Sequence, residues 1–299
     1  MKRRIALIAA AAVIVIAVLL AVVLTPRAVT ATGFAMGSVL TQTHWRKTPG
    51  LTVLETVQAL EAELLQAAEP PPLAIEIMEA SGGAFNPYLG ALVKLWDIDG
   101  EPYLPTREEI NEALRKKELD LGAYGKGAAC DAALDYDLKY YRNVVFSLGG
   151  NILTYGEKPW GQPFKIALRD PKGGPNDTFG LFTLRGTNFI STSGSYEKYF
   201  ERDGVRYHHI FDPETGYPAC REPGLVSVTV ITREGEQPGA LGDMISTACF
   251  VLGYEDSLAL LERYNCDALF VYEDGGLRPA GNVKDYFAIR NPSYHWSES

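Results

Sequence analysis

The sequence is poor in the residue types that build metal clusters and disulfide frameworks. Its 299 residues include four Cys and four His. Cys130, Cys220, Cys249 and Cys266 form no CxxC pair and have no His at finger-like spacing, so a structural zinc site is not expected. Cys249 sits in the apolar stretch 248–252 and reads as core packing. Positive charge is also scarce, with 28 Lys and Arg against 37 Asp and Glu. The net charge of −9 becomes −12 once Lys2, Arg3 and Arg4 are set aside. That argues against a nucleic-acid partner, because phosphate backbones select a basic face. A phosphate-bearing small molecule stays open, since a divalent cation can supply positive charge locally. No Walker A spacing, internal repeat or low-complexity tract is present beyond the N-terminal run.

That run is the most distinctive feature. Lys2, Arg3 and Arg4 precede unbroken apolar sequence from Ile5 to Leu24. As a helix, twenty residues reach about 30 Å, the hydrocarbon thickness of a bilayer. The basic flank then places the N-terminus in the cytoplasm and the rest outside. A cleaved signal peptide is the alternative, although its apolar core is usually about 7–15 residues. Two regions are expected: a membrane anchor or signal segment over 1–28, and one large domain or two closely packed ones over 29–299.

Within 29–299, residues 29–32 read as a linker and 33–44 as one strand. Helical spacing covers 51–68, and 70–72 stop it. A second helix follows over 73–80. Thr106, with Glu108 and Glu109 in the first turn, predicts a capped helix to Arg115. Residues 119–122 read as a short strand and turn, and 127–141 as a helix. Further strands are expected at 143–148, 164–168, 179–184, 189–192, 207–211, 225–232 and 268–272, with helices at 243–252 and 255–264. Strands and helices without regular βα alternation give an α+β fold.

Three segments carry polar residues that this patterning does not require. Asp120-Leu121-Gly122-Ala123-Tyr124-Gly125-Lys126-Gly127 joins a carboxylate, flexible backbone and a lysine at a helix entry, a natural anion seat. In isolation it is equally an ordinary turn with a surface lysine. Tyr207-His208-His209-Ile210-Phe211-Asp212-Pro213-Glu214-Thr215-Gly216 holds two adjacent His, which on a strand face opposite ways. One imidazole can thus reach a cleft and take a proton from a hydroxyl, or be a satisfied strand histidine. In Gly242-Asp243-Met244-Ile245-Ser246-Thr247, Asp243 and Thr247 share a helix face and offer hard oxygen ligands. A plain helix start, with Asp243 as its cap, fits the same residues.

Taken together these segments resemble the FAD:protein FMN transferase (ApbE-type) family. The matching pieces stand in family order: Phe34-Ala35-Met36-Gly37-Ser38, Ser81-Gly82-Gly83-Ala84-Phe85-Asn86, and Asp120 through Gly127 to Asp131. Ser147-Leu148-Gly149-Gly150-Asn151-Ile152, Thr192-Ser193-Gly194-Ser195-Tyr196-Glu197, the His209 to Gly216 segment and Asp243 to Ala248 complete them. The resemblance implies an α+β, T-fold-like architecture with mixed or antiparallel sheets and packed helices. It implies a Mg²⁺-dependent enzyme that uses FAD as substrate and moves FMN to a Thr or Ser of an acceptor flavoprotein. Such an acceptor would be a membrane redox-complex subunit or an extracellular flavoprotein. By motif matching, Met36, Ala84, Phe85, Asn86, Asp120, Lys126, His209 and Ile210 would contact FAD. Ala123 (through its carbonyl), Asp243 and Thr247 would bind Mg²⁺, with Ser246 nearby, and His209 would be the catalytic base. FAD pyrophosphatase activity and non-catalytic FAD binding are the alternatives. The stretch before Gly82 is short for the family. Asn86 stands where many members have Asp, and Tyr124 and Gly125 replace common Ile and Ala.

Overall fold

A computed structural model describes residues 13–16, 27–45 and 53–297. The expected membrane anchor therefore lies almost wholly outside the described residues. Its described part, Val13 to Ile16, is helical with exposed side chains. Among the described residues no helix is long and apolar enough to cross a membrane.

The chain opens with a hairpin rather than the single strand expected at 33–44. Strands β1 (Ala28–Ala35) and β2 (Ser38–Trp45) pair in full register, so the expected linker is itself strand. Met36 and Gly37 form the turn with φ of 47° and 67°. Positive φ at both central residues matches the twist of the flanking strands. Helices α1 (Leu54–Leu64), α2 (Pro72–Ala80), α3 (Gly90–Trp96) and α4 (Arg107–Arg115) follow. The start of α4 is a capping box: Thr106 and Glu109 each accept the other's backbone N–H, as the sequence predicts. The strand expected at 119–122 does not form: an isolated bridge pairs Leu89 with Glu118 just before it, and Leu121–Ala123 is a 3₁₀ turn. Helix α5 (Gly125–Tyr140) leads into β3 (Asn143–Leu148) and β4 (Asn151–Gly156).

Strands β5 (Phe164–Arg169), β6 (Thr178–Leu184) and β7 (Asn188–Gly194) come next, then the small hairpin β8 (Tyr199–Arg202) and β9 (Val205–His208). Strand β10 (Leu225–Thr232) precedes α6 (Pro238–Leu252), α7 (Tyr254–Arg263), β11 (Asp267–Tyr272) and β12 (Gly276–Ala280). Helix α8 (Val283–Tyr286) and the short strands β13 (Phe287–Ile289) and β14 (His295–Trp296) finish the fold.

Nine strands form one sheet in the order β1-β2-β3-β4-β7-β10-β11-β12-β14, antiparallel except for the β12–β14 pair. One face carries α5, α6 and α7, with Val228 and Val230 of β10 packed against Met244, Ile245 and Ala248 of α6. The other carries the β5-β6-β13 sheet, where Phe164, Phe182 and Phe287 meet Ile231 and Leu269. Both faces of β10 are thus covered, and all eight of its residues are buried, which gives its continuous apolar run. A separate aromatic knot unites Trp96 of α3 with Tyr207, Phe211 and Tyr217, and the Trp96 indole donates to the Gly216 carbonyl at 3.0 Å. Mixed sheets with packed helices agree with the expected α+β class.

Candidate active site

At the edge of the helical layer the chain leaves a cavity of about 350 Å³. The β1–β2 turn contributes Met36, the segment after α2 contributes Ala84, Phe85 and Asn86, and the entry to α5 contributes Asp120, Ala123 and Lys126. His209 and Ile210 come from the stretch after β9, and Asp243 and Thr247 from α6. These residues come from five separate parts of the chain. Ser246 is the exception among those expected at the site. It is fully buried behind the wall, with its hydroxyl donating to the Asp243 carbonyl at 2.9 Å and 2.9 Å from that of Ser193. On a helix, positions 243 and 247 share a face while 246 turns toward the sheet.

Helix α6 begins at Pro238, five residues before the expected start. Asp243 therefore lies in the second turn and does not cap its own helix. Its Oδ2 accepts from the backbone N–H of Gly127 at the start of α5 (2.8 Å), and its Oδ1 from Asn151 Nδ2 (3.1 Å). Burial pushes its pKa upward, and the nearby Lys126 charge partly offsets that. Asp120 is raised by burial in the same way, while the Gly122 N–H (2.9 Å from Oδ1) and Lys126 oppose the rise. Lys126 is the hub of this field, since its charge acts on Asp120, Asp243, Glu197 and His209. Gly149 makes room for it: a Cβ there would lie 2.5 Å from Ser38 Oγ and 3.0 Å from Lys126 Cδ.

The two histidines part as alternation predicts. His208 is buried, edge-on to Phe250 with centroids 5.4 Å apart, and its Nε2 lies 3.1 Å from the Ala219 carbonyl oxygen. Its Nδ1 accepts from the Ile210 N–H, so this ring is a satisfied structural group. His209 lies just beyond the strand and lines the cavity. The Lys198 carbonyl accepts from the His209 backbone N–H (3.2 Å) and lies 3.3 Å from ring Nδ1. A carbonyl can only accept, so Nδ1 carries the proton and Nε2 keeps a free lone pair. Burial, with a push from Lys126, lowers the His209 pKa to about 4. The ring is thus neutral at neutral pH, with Nε2 unprotonated.

The donor set suits a hard divalent cation that shares its shell with a phosphate. Asp243 offers a buried carboxylate that accepts from two neutral donors. Thr247 offers a hydroxyl and Ala123 a carbonyl on the same cavity wall. Among the described residues no group of three or more His, Cys, Asp or Glu side chains could cage a metal unaided. One carboxylate beside a hydroxyl and a carbonyl oxygen fits Mg²⁺, which takes one or two carboxylates and completes its shell with substrate phosphates and water.

Several further residues line the cavity. Glu197, Ser193 and Thr192 line the cavity, as do Lys198 and Asp99, which form an ion pair. The glycines of 148–151 and 192–195 allow either close approach to a ligand or a turn of the chain. Nothing marks Lys198, whose contribution to His209 is a backbone atom, or Asp99, which lies in a loop.

The layered fold and this cavity define an ApbE-type architecture. The ApbE protein of Thermotoga maritima superposes with a TM-score of 0.73 at 27% identity, covering 87% of this chain and 99% of that one. The apo flavinyl transferase ApbE of Pseudomonas stutzeri gives 0.68 at 27% identity, covering 88% and 97%. The ApbE family model matches residues 55–270. Proteins named FAD:protein FMN transferase from Treponema pallidum (35% identical over 250 residues) and Klebsiella pneumoniae (36% over 212) are also similar. Those matches cover 71% and 63% of this chain, and 67% and 63% of the relatives. The chain belongs to the ApbE family, whose curated relatives are named as enzymes.

Proposed function

We propose that this chain transfers FMN from FAD to the hydroxyl of a Thr or Ser in an acceptor flavoprotein, with release of AMP. The observation that carries this reading is the convergence of Asp120, Lys126, Asp243, Thr247 and a neutral His209 on one cavity. Magnesium, held by Asp243, Thr247 and the Ala123 carbonyl, would neutralise the diphosphate and polarise its phosphorus. The chain's own residues do the rest. Lys126 places a positive charge where the diphosphate charge accumulates, and the positive end of the α5 dipole adds to it. Met36, Ala84, Phe85, Asn86 and Ile210 shape the wall for the flavin. His209 Nε2 takes the acceptor's hydroxyl proton as its oxygen bonds to the FMN phosphorus and the bond to AMP breaks.

On this reading residues 29–299 form the transferase domain and work outside the cytoplasm. The run 5–24 anchors them as a single span in the cell membrane. The acceptor is then a membrane redox-complex subunit or an extracellular flavoprotein.

The test is incubation of the purified chain with FAD, Mg²⁺ and a flavin-accepting protein, followed by intact-mass measurement. An acceptor heavier by one FMN supports the proposal. Free FMN with an unmodified acceptor assigns a pyrophosphatase, and bound but intact FAD assigns a carrier.

A further inference from the structure

Only Thr25, Pro26 and Arg27 separate the apolar run from β1. Three extended residues reach about 10 Å. If the run spans a bilayer, the end of the domain that carries Ala28 sits at the headgroups. Strand register shows what shares that end. Ala28 pairs with Trp45, and Asn143 pairs with Gly156. The last turn of α5 brings Leu138, Lys139 and Tyr140 there, followed by Arg142, and the connection from β4 to β5 adds Lys158 and Trp160.

This end is unlike an ordinary loop surface. Trp160 is 73% exposed, Leu138 54% and Tyr140 47%. Trp160 also holds φ at 67°, a left-handed conformation that β-carbon-bearing residues avoid. The Arg185 guanidinium braces the turn by donating to the Gly161 carbonyl at 2.5 Å. The indole is thus held mostly outside the fold on a strained backbone. Arg27, Lys139 and Arg142 are exposed, and Lys158 lies 5.4 Å from the centre of the Trp45 ring. Glu157 shares the loop, and Glu234 and Glu236 follow β10, two strands beyond β4. Trp, Tyr and Leu interspersed with Lys and Arg match the interfacial belt of membrane proteins, and basic groups near a bilayer attract anionic headgroups.

We propose that this end of the sheet is a docking surface for an anionic lipid bilayer, with Trp160 seated in the headgroup region. The inference rests on the membrane-anchored reading of the run 5–24. It also fixes where the chemistry happens. Met36, Ser38, Lys126 and Gly149 lie at the opposite ends of β1–β2, α5 and β3. Eight residues of strand and sixteen of helix each span about 25 Å. The cavity is held at about that height above the membrane surface and does not open onto it. The acceptor hydroxyl must be presented at that level, which fits a folded extramembrane segment and excludes a residue at the lipid boundary.

The test uses the full chain in vesicles of equal phosphatidylcholine and phosphatidylglycerol, with acyl chains brominated near the headgroup. Tryptophan quenching is compared between the wild type and Trp160→Phe, alongside an alkaline carbonate wash and hydrogen exchange. The expected result is retention after the wash and quenching that falls by more than half in Trp160→Phe. Slowed exchange at 138–142 and 157–161, but not at 36–38, completes it. Retention with equal quenching of both proteins and no slowed exchange overturns the docking surface and leaves the anchor standing. Wash-off with Trp160-dependent quenching keeps the surface and removes the anchor. Wash-off without quenching overturns both.

Discussion

Gly127 and Asp243 are locked together across two helices, and the lock is reciprocated. The Gly127 N–H at the start of α5 donates to Asp243 in α6, while Gly239 and Ala240 at the start of α6 donate to Asp131 in α5 (2.8 and 2.9 Å). Each aspartate stands four residues after its own helix's glycine, so one Gly-x-x-x-Asp pattern occurs twice and each copy caps the other. Either glycine, if given a Cβ, would strike the carbonyl of its counterpart. The helix that presents Lys126 and the helix that presents Asp243 and Thr247 are therefore fixed against each other.

Substituting Gly127 by Ala should break this lock. The new Cβ would lie 2.6 Å from Asp243 Cβ and press on the Gly239 carbonyl, and neither atom ends a flexible side chain. A stability loss of about 1–3 kcal/mol is expected in urea unfolding. If Asp243 holds Mg²⁺ as proposed, a roughly tenfold rise in the Mg²⁺ concentration giving half-maximal transfer should accompany it, because the support of that ligand is disturbed. Unchanged Mg²⁺ dependence at reduced stability would separate the lock from the chemistry.

The contribution of Asp137 to stability should fall between about pH 4 and pH 7. Burial raises the Asp137 pKa to about 7 despite a 2.6 Å hydrogen bond from Gln42 Nε2. In this window the folded state binds the proton more than the unfolded chain does, so raising the pH favours unfolding until both forms are ionised. Asp137→Asn should flatten that slope and add on the order of 2–4 kcal/mol above pH 7. Urea midpoints at several pH values measure it, and a parallel slope in the variant would exclude Asp137 as its source.

Transfer should persist to unusually low pH. With its pKa lowered to about 4, the His209 ring is deprotonated, and so able to take a proton, above roughly pH 5. The acid limb of the rate profile is expected near pH 4, not near pH 6.5. His209→Ala should keep FAD binding and lose about 10²–10⁴-fold in rate. Equal rates for variant and wild type would remove the ring from the reaction.

Trp96→Phe should loosen the turn below His209. It deletes the indole donor to the buried Gly216 carbonyl while leaving most of the aromatic contact. A cost of about 1–3 kcal/mol follows from the unsatisfied group. Thermal unfolding checks this, and a shift no larger than that of an exposed control such as Tyr199→Phe would count against it.

Much of this was legible in the sequence where local chemistry and tertiary context agree. Thr106 with Glu109 gives the start of α4, and the β-branched runs give β3 and β10. The first hairpin was hidden because Met36 adopts a backbone conformation usually left to Gly or Asn. Strand β4 was hidden because Gly149-Gly150 marks the end of β3 without signalling the strand that follows. The start of α6 was obscured by Gly239 and Gly242, poor helix formers that are needed where α5 and β7 approach closely. At the site, the motifs nominated residues that the fold brings to one cavity. They placed Ser246 too far forward, and they could not reveal Lys198, because a peptide oxygen leaves no signature in residue type.

That last point bears on how this protein tolerates change. The tether on the His209 ring belongs to the main chain, so replacing Lys198 with any other residue leaves its oxygen in place. Scanning mutagenesis would score position 198 by its ammonium group alone and overlook its larger contribution. The orientation of the ring is protected from single substitutions at its partner and is vulnerable only to changes that redirect the loop itself.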